Sequence, residues 1–403
     1  MKSIMRQWTV QGMERLEMTL TNDVLNYLKD SEEETLRLIE TIARIPAPSG
    51  LEDARADFCR NWLLAQGAEH VEIDDAKNVL AYVDCEGKED LILFSAHTDV
   101  VFPDLEPLPF ERDDRYLHAP GVGDDTACLA ALLIAARYVI RNKLTSPYGV
   151  IFAANSCEEG LGNLKGIREI MRIHGDRIRR AYTVDGQYNA AVTTCVGSVR
   201  YRVTVQTEGG HSFNHFGNRN AIFSVARLLT LLNDRSILDG CKGKTTYNVG
   251  VIEGGTSVNT IAQSTSFLYE FRSDCAEDLA RMQRFFDACI ARARAEELGE
   301  ITVETVGIRP CGGEVDEDVL EEMAARVVAV SEAHSGIPCA RTSGSTDCNI
   351  PMSMGVPAVC VGAYLGDGAH TREERVRIDS VPVGLRIVTE LVLDYFNQPK
   401  ENL

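Results

Sequence analysis

No apolar run in this 403-residue chain is long enough to cross a bilayer, and the opening Met1-Lys2-Ser3-Ile4-Met5-Arg6 has no signal-peptide core. The expectation is a protein with no membrane partner. Its 12 cysteines include no Cys-x-x-Cys pair. Scattered thiols in a chain this large indicate a reducing cytoplasm rather than a disulfide framework. Low-complexity tracts, internal repeats and long blocks of one charge are missing as well. Positive charge is scarce: 41 Lys+Arg stand against 60 Asp+Glu, a formal net charge of -19. A surface of that sign repels a phosphate backbone, which excludes nucleic acid as a partner.

The remainder is ordinary for a globular protein, 44% hydrophobic and 25% charged. Its most informative stretch is Leu91-Ile92-Leu93-Phe94-Ser95-Ala96-His97-Thr98-Asp99. An apolar run that stops abruptly in polar residues predicts a buried parallel strand with chemistry at its tip. His97 and Asp99 lie two apart and project the same way from an extended chain. That suits a metal-bound imidazole steadied by a carboxylate, although His-x-Asp after a strand is by itself more often a satisfied polar loop than a metal site. The later strands weigh on the choice. Gly149 to Asn155 runs into Ser156-Cys157-Glu158-Glu159-Gly160, and Ala181 to Val184 runs into Asp185-Gly186. Gly121-Val122-Gly123-Asp124-Asp125-Thr126 leads into a helix from Ala127 to Arg141.

Strands alternating with helices predict a doubly wound, mostly parallel α/β sheet, which binds ligands beyond the carboxyl ends of its strands. Ser31-x-x-Glu34 reads as the capping box that opens the first helix. From Ser198 to Val306 the rhythm changes to β-α-β-β-α-β, the order of a ferredoxin-like α+β domain. The expected organisation is therefore a discontinuous catalytic domain, 1–197 and 307–403, with an inserted lid or dimerisation domain at 198–306.

His97-Thr98-Asp99, Gly123-Asp124-Asp125, Glu158-Glu159-Gly160, Val184-Asp185-Gly186, Gly210-His211-Ser212 and Ala369-His370-Thr371 together resemble the M20 family of dinuclear zinc peptidases and deacylases. The string Ala181-Tyr182-Thr183-Val184-Asp185-Gly186 is most similar to the tripeptidase (peptidase T) branch. The resemblance implies two divalent ions, zinc first, with cobalt or manganese compatible. His97, Asp185 and Asp124 would bind one ion, and Asp124, Glu159 and His370 the other. It further implies that Asp99 steadies His97, that Glu158 is the general base for a water activated between the ions, and that Asp124-Asp125 is a cis peptide. His211 would reach the partner subunit's site and stabilise the oxyanion, which makes a homodimer through the insert the expected assembly.

Asn259, Arg272, Ser345 and Thr346 resemble the family's substrate contacts. Arg272 has a competing reading as a sheet-edge salt bridge, and Asn259 as a turn residue. The implied activity is exohydrolysis of short peptides, as by an aminopeptidase or tripeptidase. N-acyl amino acid deacylation is the alternative, and metal or peptide binding without turnover is a third. His70, His118, His174, His215 and His334 lack ligand spacing, and Cys157 has no histidine partner in the pattern.

Overall fold

The computed structural model describes residues 20–396. The leading segment Met1–Arg6, read above for a secretory core, lies outside them. In chain order the elements begin with α1 (Asn22–Ala43), α2 (Asp53–Ala65), β1 (Val71–Ile73), β2 (Val79–Val83) and β3 (Leu91–His97). There follow α3 (Cys128–Arg141), β4 (Gly149–Asn155), α4 (Lys165–His174), β5 (Ile178–Val184) and β6 (Ala190–Cys195). Next come β7 (Gly197–Gln206), α5 (Ala221–Leu232), β8 (Thr245–Gly254), β9 (Ser264–Ser273), α6 (Ala276–Ala295) and β10 (Glu300–Arg309). The chain closes with α7 (Glu317–Ser335), β11 (Ala340–Gly344), α8 (Asn349–Ser353), β12 (Ala358–Val361) and α9 (Val381–Leu393). Two compact units result: one runs to Thr193 and resumes at Glu314, and the other is Thr194–Gly313.

The first unit is an α/β layer structure on an eight-stranded sheet ordered β1-β2-β4-β3-β5-β12-β6-β11. Its four middle strands, β4, β3, β5 and β12, are parallel, and antiparallel β2 and β6 flank them. β3 and β4 are buried along their whole length, as strands covered on both faces must be. Phe94 stacks between Phe152 and Tyr182 at ring separations of 5.9 and 5.0 Å. Each such fully buried ring contributes roughly 1.5–3 kcal/mol relative to exposure. α3 is apolar around most of its circumference because it packs against α9 and α1 as well as the sheet. Register does the rest: His97 pairs with Asn155 and Ser95 with Thr183, so β3, β4 and β5 end at one level.

One helix start differs from the sequence reading. α1 begins nine residues earlier than Ser31, at Asn22, with Thr21 as its cap. Ser31 sits mid-helix instead, donating to the Tyr27 carbonyl at 2.7 Å and accepting from Arg137 at 2.8 Å. A buried arginine claims the hydroxyl, and the backbone hydrogen bonds continue past it.

The second unit is a four-stranded antiparallel sheet, β8-β9-β7-β10, with α5 and α6 packed on it. β7 and β9 alternate buried and less buried positions, as one-sided cover requires. Tyr201 stacks on Phe286 at 4.3 Å inside this core. Beside the sheet, Gly210–His211 pairs antiparallel with Thr260–Ile261.

Candidate metal centre

β3 delivers His97 as its last residue, 2% exposed. The ring's Nδ1 lies 3.0 Å from the carbonyl oxygen of Asp99 and 3.4 Å from Oδ1 of the same residue. An imidazole held on Nδ1 presents Nε2, and that atom stands 3.0 Å from Oδ1 of Asp124. The other oxygen, Oδ2 of Asp124, is 3.0 Å from Nε2 of His370, which is 3.1 Å from Oε1 of Glu159. The ligating atoms of His97, Asp124 and Glu159 lie within 4.8 Å of one another, as do those of His97, Asp125 and Asp185. The Asp124–Asp125 peptide is cis.

Asp99 is fully buried, and its carboxylate serves the next strand more than its own histidine. Oδ1 accepts the backbone N–H of Glu158 and Oδ2 that of Glu159, each at 2.9 Å, while the Ser49 hydroxyl donates to Oδ2 at 2.6 Å. The glutamate pair at the tip of β4 is thereby fixed to the tip of β3, with Glu158 6% and Glu159 5% exposed.

The electrostatics follow from crowding carboxylates in a buried place. Burial, then the charge on Asp124, pushes Asp185 up to about 7. Burial likewise raises Asp125. Asp124 goes the other way: burial opposes its charge, but hydrogen bonds from His370 and His97 hold it below the ordinary carboxylate range. Hydrogen bonds to Asp124 and Glu159 push His370 up to about 11. His97 is raised too, burial being outweighed by Asp125, Asp124 and Asp99.

This donor set suits divalent cations. Imidazole nitrogen and carboxylate oxygen are the ligands zinc, cobalt and manganese share. Apart from the His370 ring, no donor among the described residues reaches the buried Oε1 of Glu159, which leaves that oxygen available as a ligand should a cation take the place of the ring's proton. Carboxylates that would otherwise hold protons are the groups a cation stabilises in their charged form.

Residues 93–394 match the family model described as peptidase family M20/M25/M40. The chain belongs to the M20 family. It is therefore a hydrolase of amide bonds. A Mycobacterium tuberculosis relative bearing the name of a succinyl-diaminopimelate desuccinylase, DapE, is 26% identical over 370 residues, 89% of this chain and 98% of its own. The crystal structure of a Staphylococcus aureus tripeptidase superposes with a TM-score of 0.69 at 21% identity, covering 90% of this chain and 99% of that one. Aminopeptidase PepT from Bacillus cereus gives 0.67 at 20% identity, with the same 90% and 99% coverage. At those identities the two structures speak for the M20 fold.

Sequence reasoning missed three supporting residues of this M20 centre. Asp125 receives the backbone N–H of His97 on Oδ2 at 2.9 Å. Arg55 is fully buried, donating from Nε to the Ile45 carbonyl at 2.8 Å and from Nη1 to the Thr98 carbonyl at 2.9 Å. Glu374 receives three backbone N–H groups of the loop that carries Asp124. Only Asp125, adjacent to a flagged residue, had any signal in the spacing. Arg55 lies 43 residues from Thr98, and Glu374 lies 253 from Gly121.

Among the expected substrate contacts, Thr346 is buried, its N–H given to Asn349 Oδ1 at 2.9 Å and its Oγ1 accepting from Cys348 N at 3.2 Å. Ser345 precedes it on the loop after β11, and Asp347 accepts a 2.6 Å hydrogen bond from Asn155 at the end of β4. In the second unit His211 is exposed, its Nδ1 accepting the backbone N–H of Phe213 at 3.3 Å. Asn259 is its neighbour there, its carbonyl accepting from Ser212 N at 2.9 Å. Arg272 holds Glu270 through Nε at 2.7 Å and Nη2 at 2.9 Å. The remaining histidines have local partners: His118 with Asp113, His174 with Tyr82, His334 with Glu390, His70 with Glu72, and His215 with the His211 N–H. Burial pushes the Cys157 thiol up to about 12, so it is a poor nucleophile.

Proposed function

We propose that this protein is a metal-dependent exopeptidase acting on short peptides, in the manner of an aminopeptidase or tripeptidase. One observation carries the reading: Asp124 stands 3.0 Å from both His97 and His370, with Glu159 alongside. His97, Asp185 and Asp124 would hold one ion, and Asp124, Glu159 and His370 the other, zinc being preferred. Bound there, such ions lower the pKa of water from 15.7 towards ~7 and polarise a carbonyl.

The chain's own residues do the rest. Glu158 is the general base, taking a proton from the attacking water and returning it to the leaving amine. Its neighbour Glu159 is committed to His370, and the Asp99 carboxylate keeps both backbones in place. In the second unit, His211 Nδ1 accepts a backbone N–H, so the ring's proton resides on Nε2, the state an oxyanion donor needs. Asn259, Arg272, Ser345 and Thr346 are assigned to substrate, with Arg272 shared between Glu270 and a substrate carboxylate.

The same reading makes the protein a homodimer through the inserted unit. β8 is an edge of its sheet, and Ile252 on that strand and Phe223 on α5 are 53% and 75% exposed. An apolar edge of this kind invites a second copy of itself.

A second reading, deacylation of N-acyl amino acids, is favoured by the likeness to the DapE relative, 26% over 370 residues. Binding without turnover needs neither Glu158 nor a protonated His211 Nε2. Purified protein assayed on di- and tripeptides beside N-succinyl and N-acetyl amino acids, with metal analysis, separates these. Turnover of tripeptides supports the first reading; turnover of acylated amino acids alone replaces it with the second.

A further inference from the structure

Glu374 is a buried carboxylate, 2% exposed, four residues past His370. Its Oε2 accepts the N–H of Gly121 at 2.7 Å, and its Oε1 accepts those of Gly123 at 2.9 Å and Asp124 at 2.8 Å. Its own carbonyl accepts the N–H of Ala119 at 3.2 Å. The receiving loop is closely seated. A Cβ at Gly123 would lie 2.5 Å from the Tyr364 ring, and Gly121 has φ +72°, a left-handed conformation that favours glycine.

Both oxygens of Glu374 are taken up by amide hydrogens, so the group fastens one loop to another. One of those loops ends in Asp124 and the other carries His370, whose Nε2 lies 3.0 Å from Asp124 Oδ2. Three converging N–H groups form a concavity for an anion, and only an acceptor-only group with two oxygens satisfies all three. We propose that Glu374 is a positioning residue whose carboxylate sets the placement of Asp124 against His370, and with it the affinity for the cation these two side chains share. The proposal rests on the reading of Asp124 and His370 as metal ligands.

The test is calorimetric titration of the metal-free, full-length protein with Co²⁺, comparing the wild type with Glu374→Gln and Glu374→Asp, folding being checked by circular dichroism. Glutamine turns an NH₂ towards backbone N–H groups. Aspartate keeps the charge but stands one methylene short, and it carries the test should the glutamine variant fail to fold. The wild type should take two ions. Each folded variant should bind both ions more weakly, because Asp124 is assigned to both, with the larger loss, about 10–100-fold, at the ion assigned to Asp124, Glu159 and His370. kcat should fall at limiting Co²⁺ and return with excess Co²⁺, with KM little changed, a rescue that a general loosening of the fold would not give. Variants that bind both ions as the wild type does, or a loss of kcat that Co²⁺ does not relieve, overturn the positioning role while leaving the ligand reading intact. A wild type that takes fewer than two ions overturns both.

Discussion

Asp99 receives the backbone N–H of Glu159 on Oδ2 at 2.9 Å, so an aspartate two residues past the end of one strand sets the position of a glutamate beyond the end of the next. The second oxygen does the same for Glu158, and the His97 ring rests chiefly on the Asp99 carbonyl. Asp99→Asn leaves one of the two N–H groups facing an NH₂ while sparing that carbonyl. Activity should fall about 10–100-fold, with the metal on the Glu159 side weakened more than that on the Asp185 side. Steady-state rates beside metal titration check this. Greater weakening on the Asp185 side, where His97 is assigned, would mean that Asp99 acts through His97 instead.

Glu158→Gln removes the proton acceptor and preserves shape. kcat should drop by roughly 10²–10⁴-fold with both metals retained, since general-base catalysis is worth that much. Turnover within a few-fold of the wild type, measured on the best substrate of the panel, removes Glu158 from the role.

Metal binding should release protons. His370 is pushed up to about 11 by Asp124 and Glu159, and Asp185 up to about 7 by burial and Asp124. Both shifts favour the protonated form of the metal-free protein. Each group must become free to ligate, so affinity rises with pH and weakens most steeply below about 7. Calorimetry in two buffers of different ionisation enthalpy counts the protons. No buffer dependence would mean the ions sit elsewhere.

The apolar side chains on the inserted unit predict a second copy there. Ile252→Asp or Phe223→Asp should yield monomers by light scattering, with each unit still folded. Activity should fall with dimer content, because His211 is assigned to the partner's site. Fully active monomers would confine catalysis to one chain.

The strand-end chemistry was legible because burial is written locally. A run such as Leu91 to Ser95 has to be covered on both faces, and the polar residues after it have to lie beyond the sheet. The insert was legible from its alternation and its β-α-β-β-α-β order, which the structure reproduces. Ser31 misled because a capping-box pattern describes a helix start only when nothing buried competes for the hydroxyl, and here Arg137 does. Arg55 and Glu374 could not be read at all. Each holds carbonyls or N–H groups of a distant loop, and backbone groups leave no residue type in the sequence to pair with.

The central claim is that His97, Asp124, Glu159, Asp185 and His370 hold a pair of cations on which hydrolysis depends. The direct measurement is metal content and amide-bond turnover of one preparation, before chelation, after it, and after stepwise return of Zn²⁺. Two ions per chain are expected, with loss of turnover on their removal and recovery as the second equivalent is added. Undiminished hydrolysis by the metal-free protein would contradict that claim.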